Sequence, residues 1–77
     1  MSRRTLYRVF RDELQVTPNA FVEQIRLETA KRLLVEGHDT LDRIAFKSGL
    51  GSRARMRAVF DRRLRLSPSQ YRERFGL

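Results

Sequence analysis

The chain repeats itself at an interval of fifty positions. Laid over itself at that offset, Ser2-Arg3 falls on Ser52-Arg53, Leu6 on Met56, Val9-Phe10 on Val59-Phe60 and Leu14 on Leu64. The match continues through Val16-Thr17-Pro18 on Leu66-Ser67-Pro68, then Phe21 on Tyr71 and Glu23 on Glu73. Helix caps, turns and apolar positions recur in the same order, which is the mark of one helical unit used twice. Seventy-seven residues leave room for one small domain, near the lower limit of a self-sufficient core. The two units must therefore share that domain and be joined within it.

The second unit is the clearer one. From Thr40 to Leu64 it reads as two short helices around a glycine turn. Thr40 is an N-cap, and Leu41, Ile44 and Ala45 follow at helical spacing. Gly49 stands where the helix must stop at positive φ, a conformation cheap for glycine. Ser52 then caps a helix with Met56, Val59, Phe60 and Leu64 on one side. Arg53, Ala54, Arg57 and Ala58 lie on the other. That is a helix-turn-helix, whose second helix is shaped for a DNA major groove.

The first unit, residues 1–16, offers a helix from Ser2 to Leu14 with Leu6, Val9, Phe10 and Leu14 on one stripe. Met1 stands where Gly51 stands in the second copy, so the supporting helix of this unit is expected to be missing. A connector, residues 17–37, begins with Thr17 as N-cap and Pro18 at the first helical position, and should stop at Gly37. Its apolar positions, from Phe21, Val22 and Ile25 through Leu27 and Ala30 to Leu33 and Leu34, spread beyond one face. They leave a narrow polar strip through Gln24, Glu28, Lys31 and Arg32, which predicts cover on more than one side. Residues 67–77 form a closing helix, with Ser67 and Gln70 at capping-box spacing and Tyr71 and Phe75 turned to the core. No period-two alternation predicts a strand. The expected fold is all-α and homeodomain-like, with two helix-turn-helix units, the first incomplete, joined by a long central helix.

Charge narrows the function. Seventeen Lys and Arg against nine Asp and Glu give a formal charge of +8, nearly all of it from arginine. Such a domain is drawn to polyanions, and arginine presents a flat fork of donors that suits phosphate and guanine edges. A GC-rich genome explains a preference for Arg over Lys equally well, but not the net charge. Cysteine is absent, which excludes disulfides and cysteine zinc sites. No apolar run spans a membrane or forms a signal-peptide core, so the default location is cytoplasmic. His38 is a loop residue without a second ligand at metal spacing, and Ser2, Ser52 and Ser67 are caps without a histidine nearby. No enzyme and no cofactor is expected.

The pattern Ile44-Ala45…Gly49-Leu50, Val59-Phe60, the Ser67-Pro68…Tyr71-Arg72 ending and the central Arg26-Leu27…Ala30…Leu33-Leu34 helix resembles the C-terminal DNA-binding domain of AraC/XylS-type transcriptional regulators. The likeness covers essentially the whole chain. Two segments, FVEQIRLETAKRLL and RMRAVFDRRLRLSPSQYRERF, are most similar to the subgroup with an amidotransferase-like regulatory half. The chain departs from the family at Leu50, where phenylalanine is usual, and at Gln15 and Arg65, where glycine is usual. The last two need either a different turn or a non-glycine residue at positive φ, at a cost of roughly 1 kcal/mol each. The absent first helix is the largest departure.

Helix geometry and the resemblance together nominate Arg53, Ala54, Arg57 and Ala58 for base readout, with the matching first-unit face Arg3, Arg4, Tyr7 and Arg8. Arg53 and Arg57 can each fork onto guanine, and the two alanines let the helix lie deep. Lys47, Arg55, Arg62, Arg63 and Arg72 are assigned to phosphate, with backbone N–H groups at the helix starts near Thr17 and Ser67. The resemblance implies double-stranded DNA as partner, RNA polymerase as a further one, and an effector domain outside this chain. Two other readings stand beside it: a truncated fragment or competitor that binds DNA without specificity, and a membrane-active basic helical protein.

Overall fold

A computed structural model describes residues 3–9 and 17–76, apart from the side chains of Tyr7 and Val9. Five helices follow one another, α1 (Arg3–Val9), α2 (Pro18–Glu36), α3 (Leu41–Lys47), α4 (Arg53–Leu64) and α5 (Pro68–Phe75). The described residues are helices joined by turns and loops, with no strand among them, in agreement with an all-α fold. Residues 10–16 lie outside the described residues, and with them the expected continuation of the first helix to Leu14 and the turn at Gln15.

Each helix start after α1 is made by its cap. The hydroxyls of Thr17, Thr40, Ser52 and Ser67 accept from the N–H groups of Ala20, Arg43, Arg55 and Gln70. At Ser67 the box is reciprocal, since its N–H donates to Gln70 Oε1 at 2.8 Å. Each bond satisfies one of the donors that a helix N-terminus leaves free, and is worth about 1 kcal/mol.

The core sits where α2, α3, α4 and α5 meet. Leu27, Ala30 and Leu34 of α2 pack with Ile44 and Ala45 of α3, Leu50 of the turn, and Met56, Val59 and Phe60 of α4. Leu33, Leu41, Leu64 and Tyr71 close its margins. Tyr71 meets Phe60 edge-on, with ring centroids 5.9 Å apart, and so fixes α5 to the recognition unit.

One expectation about α2 is corrected. Phe21, Val22 and Ile25 were expected to be covered; they are 41%, 40% and 51% exposed. They occupy the side of the helix turned away from Leu27, Ala30 and Leu34, so a core built on one side does not reach them. The helix stops at Gly37 as expected, with an extended backbone there at φ −137°. The carbonyls there are served by a side chain: Arg72 of α5 donates from Nε to Leu34 O at 3.3 Å and from Nη2 to Asp39 O at 2.8 Å.

The turn between α3 and α4 needs two glycines. Gly49 has φ +87° and Gly51 has φ +101°. Gly49 N donates to Phe46 O at 3.1 Å and Gly51 N to Ala45 O at 2.9 Å. The buried Ser48 hydroxyl donates to Ala45 O and accepts from Leu50 N, so no polar group of the turn is stranded. After α4 the chain turns through Arg65 at φ 57°, the left-handed residue that the family pattern gives to glycine.

Candidate nucleic-acid interface

The interface is best read along α4. Met56, Val59 and Phe60 are buried, whereas Arg53, Ala54, Arg55, Arg57 and Ala58 are all exposed. At 100° per residue Ala54 and Ala58 lie along the middle of the outer face. Arg53 and Arg57 fall on the edge toward α5, and Arg55 on the edge toward α2. A shallow strip of methyl groups between two cationic rims suits a helix that must lie close to base edges.

Two open clefts border this helix. One, of about 410 Å³, brings Arg53 and Arg57 beside Leu41 and the start of α5 at Ser67, Pro68 and Ser69. Two guanidiniums and the N–H groups of a helix N-terminus therefore converge on one side. The other, of about 600 Å³, lies between α2 and α4 and brings Arg55 and Ala58 beside Arg26. Arg26 had been singled out only as part of the family pattern. Its exposure on α2 and its nearness to the turn depend on tertiary packing, and helical periodicity could not have shown them.

Charge alone does not separate the cations that the protein itself uses. Arg63 donates from Nε to Glu23 Oε1 at 2.6 Å and from Nη1 to Gln24 Oε1 at 3.2 Å, and Arg62 pairs with the same Glu23 oxygen. The Arg63 hydrogen bond above all holds the Glu23 carboxyl below its ordinary value, against an opposing effect of burial and with further help from Arg62. These contacts brace α2 against α4. Lys47 donates to Asp39 at 2.7 Å and, with Arg43 and Arg72 nearby, depresses that carboxyl too. Arg72 is the clamp on Leu34 O and Asp39 O described above. Four of the residues assigned to phosphate thus have protein acceptors, while the Arg55 guanidinium has no hydrogen bond or ion pair among the described residues and the Thr17 and Ser67 hydroxyls act as caps.

The first-unit residues are only partly visible. Arg3, Arg4 and Arg8 are exposed on α1, and the side chain of Tyr7 lies outside the described residues. His38 is an exposed loop residue. Among the described residues no cluster of three or more His, Cys, Asp or Glu could hold a metal, and no helix is long and apolar enough to cross a membrane.

Two helices around a two-glycine turn, the second outward-facing and basic, define a helix-turn-helix domain. Comparison with known proteins agrees, since a family profile described as a helix-turn-helix domain matches residues 1–74. An HTH-type transcriptional regulator of Mycobacterium tuberculosis is 48% identical over 76 residues, covering 99% of this chain and 29% of that protein. The HTH-type transcriptional regulator MtrA of Neisseria gonorrhoeae is 36% identical over 76 residues, covering 99% and 25%. Among solved structures, the DNA-binding domain of the global transcriptional factor AdpA, in complex with a target DNA, aligns with a TM-score of 0.89 and 35% identity. That alignment covers 97% of this chain and 68% of the other. The chain belongs to the AraC-type helix-turn-helix family. It spans a quarter to three tenths of the length of these curated relatives.

Proposed function

We propose that this chain binds double-stranded DNA sequence-specifically, as the reading part of a bacterial transcription regulator, by laying α4 in the major groove. The observation that carries the reading is the outer face of α4, with Ala54 and Ala58 between Arg53 and Arg57 on one rim and Arg55 on the other. The likeness to a domain bound to its target DNA supports the same face as the contact surface.

On this reading Arg53 and Arg57 fork onto guanine O6 and N7, and Ala54 and Ala58 meet thymine methyls. Arg55 and the helix starts at Thr17 and Ser67 hold phosphates. Arg3, Arg4, Tyr7 and Arg8 of α1 address a second groove segment. The connector has 19 residues and so a length of about 28 Å, close to the ~34 Å between successive major-groove entries on one side of the duplex. A modest bend in the DNA or tilt of the units makes up the difference. The place of action is the cytoplasm, and effector sensing and contact with RNA polymerase belong to the wider regulator.

The test is selection of duplexes from a random pool by the wild-type chain, followed by binding of Arg53→Ala and Arg57→Ala to the selected site and its point variants. Each substitution should erase preference at one or two base pairs, worth about 1–3 kcal/mol each, while leaving affinity for random DNA nearly unchanged. If both lose affinity equally for every sequence, readout by this face is wrong and binding is to the backbone alone.

A further inference from the structure

Gly49 does more than turn the chain. A Cβ placed on it would stand 3.0 Å from Arg26 Nε, 3.3 Å from Cδ and 3.4 Å from Cγ. The Arg26 side chain therefore leaves α2 and lies across the backbone of the helix-turn-helix turn, in the space that the missing side chain vacates. From there it lines the 600 Å³ cleft with Leu50, Arg55, Ala58 and Val59.

Arg26 differs from the other cations that join α2 to the rest of the fold. Arg63 is committed to Glu23 and Gln24, Arg62 to Glu23, and Arg72 to two backbone carbonyls. Arg32 pairs with Glu36, and Lys31 with Glu28. Among the described residues the Arg26 guanidinium has no hydrogen-bond or ion-pair partner, and neither does that of Arg55 across the same cleft. The acid lining that cleft, Glu23, is already engaged with Arg62 and Arg63. Two unneutralised guanidiniums thus face one groove whose floor is Val22, Leu50 and Val59. Those three side chains offer no donors or acceptors to tell bases apart, and Asn19 adds a single uncharged amide, so the group this groove suits is an anion with an apolar neighbour. A phosphodiester beside its sugar is such a group, and the guanidinium fork matches its two free oxygens.

We infer that Arg26 and Arg55 together bind one backbone phosphate of the DNA, so that the connector helix itself contacts the duplex at the side of the major-groove segment read by α4. This rests on the DNA-binding function proposed above and adds a contact from outside the helix-turn-helix. Gly49 then has a double purpose: it permits the turn, and its bare α-carbon lets the Arg26 stem lie flat with its rotamers restricted before DNA arrives. The arrangement ties the connector to the recognition helix through a shared ligand, which fixes where the first unit meets the DNA.

The experiment measures binding of the full 77-residue chain to its selected duplex and to a random duplex between 50 and 200 mM salt, with thermal unfolding by circular dichroism alongside. Arg26→Gln should lower the salt slope by about one on both duplexes, so that the wild-type advantage shrinks about 3.5-fold across that range. Base preference and melting temperature should be unchanged, and Arg26→Lys should restore most of the slope. An unchanged slope overturns the inference, whether or not melting falls; a fall in melting alone would make Arg26 a support for the turn. Failure of the underlying reading looks different, because the wild-type chain would then show no salt-dependent binding to either duplex.

Discussion

Replacing Glu23 with glutamine removes the charge that holds α2 against α4, and the structure sets the size of the loss. Glu23 is 28% exposed and Arg63 31%, so this pair stands at the edge of solvent, whereas Arg62 is 62% exposed and counts for less. Exposed pairs are worth about 0.2–1 kcal/mol, and the better-shielded, hydrogen-bonded Arg63 contact belongs at the upper end. The sum is about 1 kcal/mol at neutral pH and low salt. For a domain of this size that is a fall of roughly 4–8 °C in melting temperature. The pH dependence has a definite sign. The folded-state pKa of Glu23 lies below its ordinary value of 4.5, so the stabilisation is complete above that value and fades as pH falls through the folded pKa. Thermal melts of wild type and Glu23→Gln at a series of pH values should show a gap that is constant near neutrality and narrows below about pH 4.5. Salt should narrow it too. A gap that ignores pH would refute the ion pair as its cause. The companion variant Arg63→Gln separates two roles: as a brace it lowers melting, and as a phosphate ligand it would flatten the salt dependence of DNA binding and leave melting alone.

Arg65→Gly should stabilise the domain by about 0.5 kcal/mol in denaturant titration. Relief of a left-handed non-glycine residue gains roughly 1 kcal/mol or more, and the extra freedom of unfolded glycine takes part of it back. Gly51→Ala should cost about 1 kcal/mol, all of it conformational, because the nearest atom to its new Cβ is 3.8 Å away. Gly49→Ala should cost more in the same titration, since it adds displacement of Arg26 to the same kind of strain.

What the sequence made legible follows from what is local. The caps at Thr17, Thr40, Ser52 and Ser67, the stop at Gly49 and the buried stripe of α4 are set within a few residues by hydrogen-bond and steric rules. The mismatch with the family glycine at Arg65 left a different turn or positive φ open, and the structure has the second. Gly51 was missed because one glycine already sufficed to break the helix, and nothing local demands a second. The partition of the arginines was not legible at all. Which of them meet Glu23, Leu34 O or Asp39 O depends on how α2, α4 and α5 cross, and residues 33 to 40 apart in sequence make those bonds. The same holds for Arg26, whose role depends on lying over a glycine in another element.

The two reading helices are unequally supported, and this carries a prediction of its own. The twelve-residue α4 is anchored by Met56, Val59 and Phe60, all in the core. The described part of α1 has no residue in that core, and its Leu6 is 42% exposed. A short helix with little core contact is marginal by itself, since nucleation is unfavourable and only a few bonds repay it. Opening of α1 should therefore be a local event of low free energy, while opening of α4 requires the whole core to come apart. Amide hydrogen exchange on the free chain should show α1 protected only slightly and the core-facing amides of α4 protected to the global limit. Adding the selected duplex then asks whether the first unit reads DNA. If Arg3, Arg4 and Arg8 contact the second groove segment, protection of α1 should rise well beyond that of an unselected duplex at equal occupancy. If it does not, the whole of the base preference has to come from Arg53, Ala54, Arg57 and Ala58, and the selected site should be a single segment of one groove.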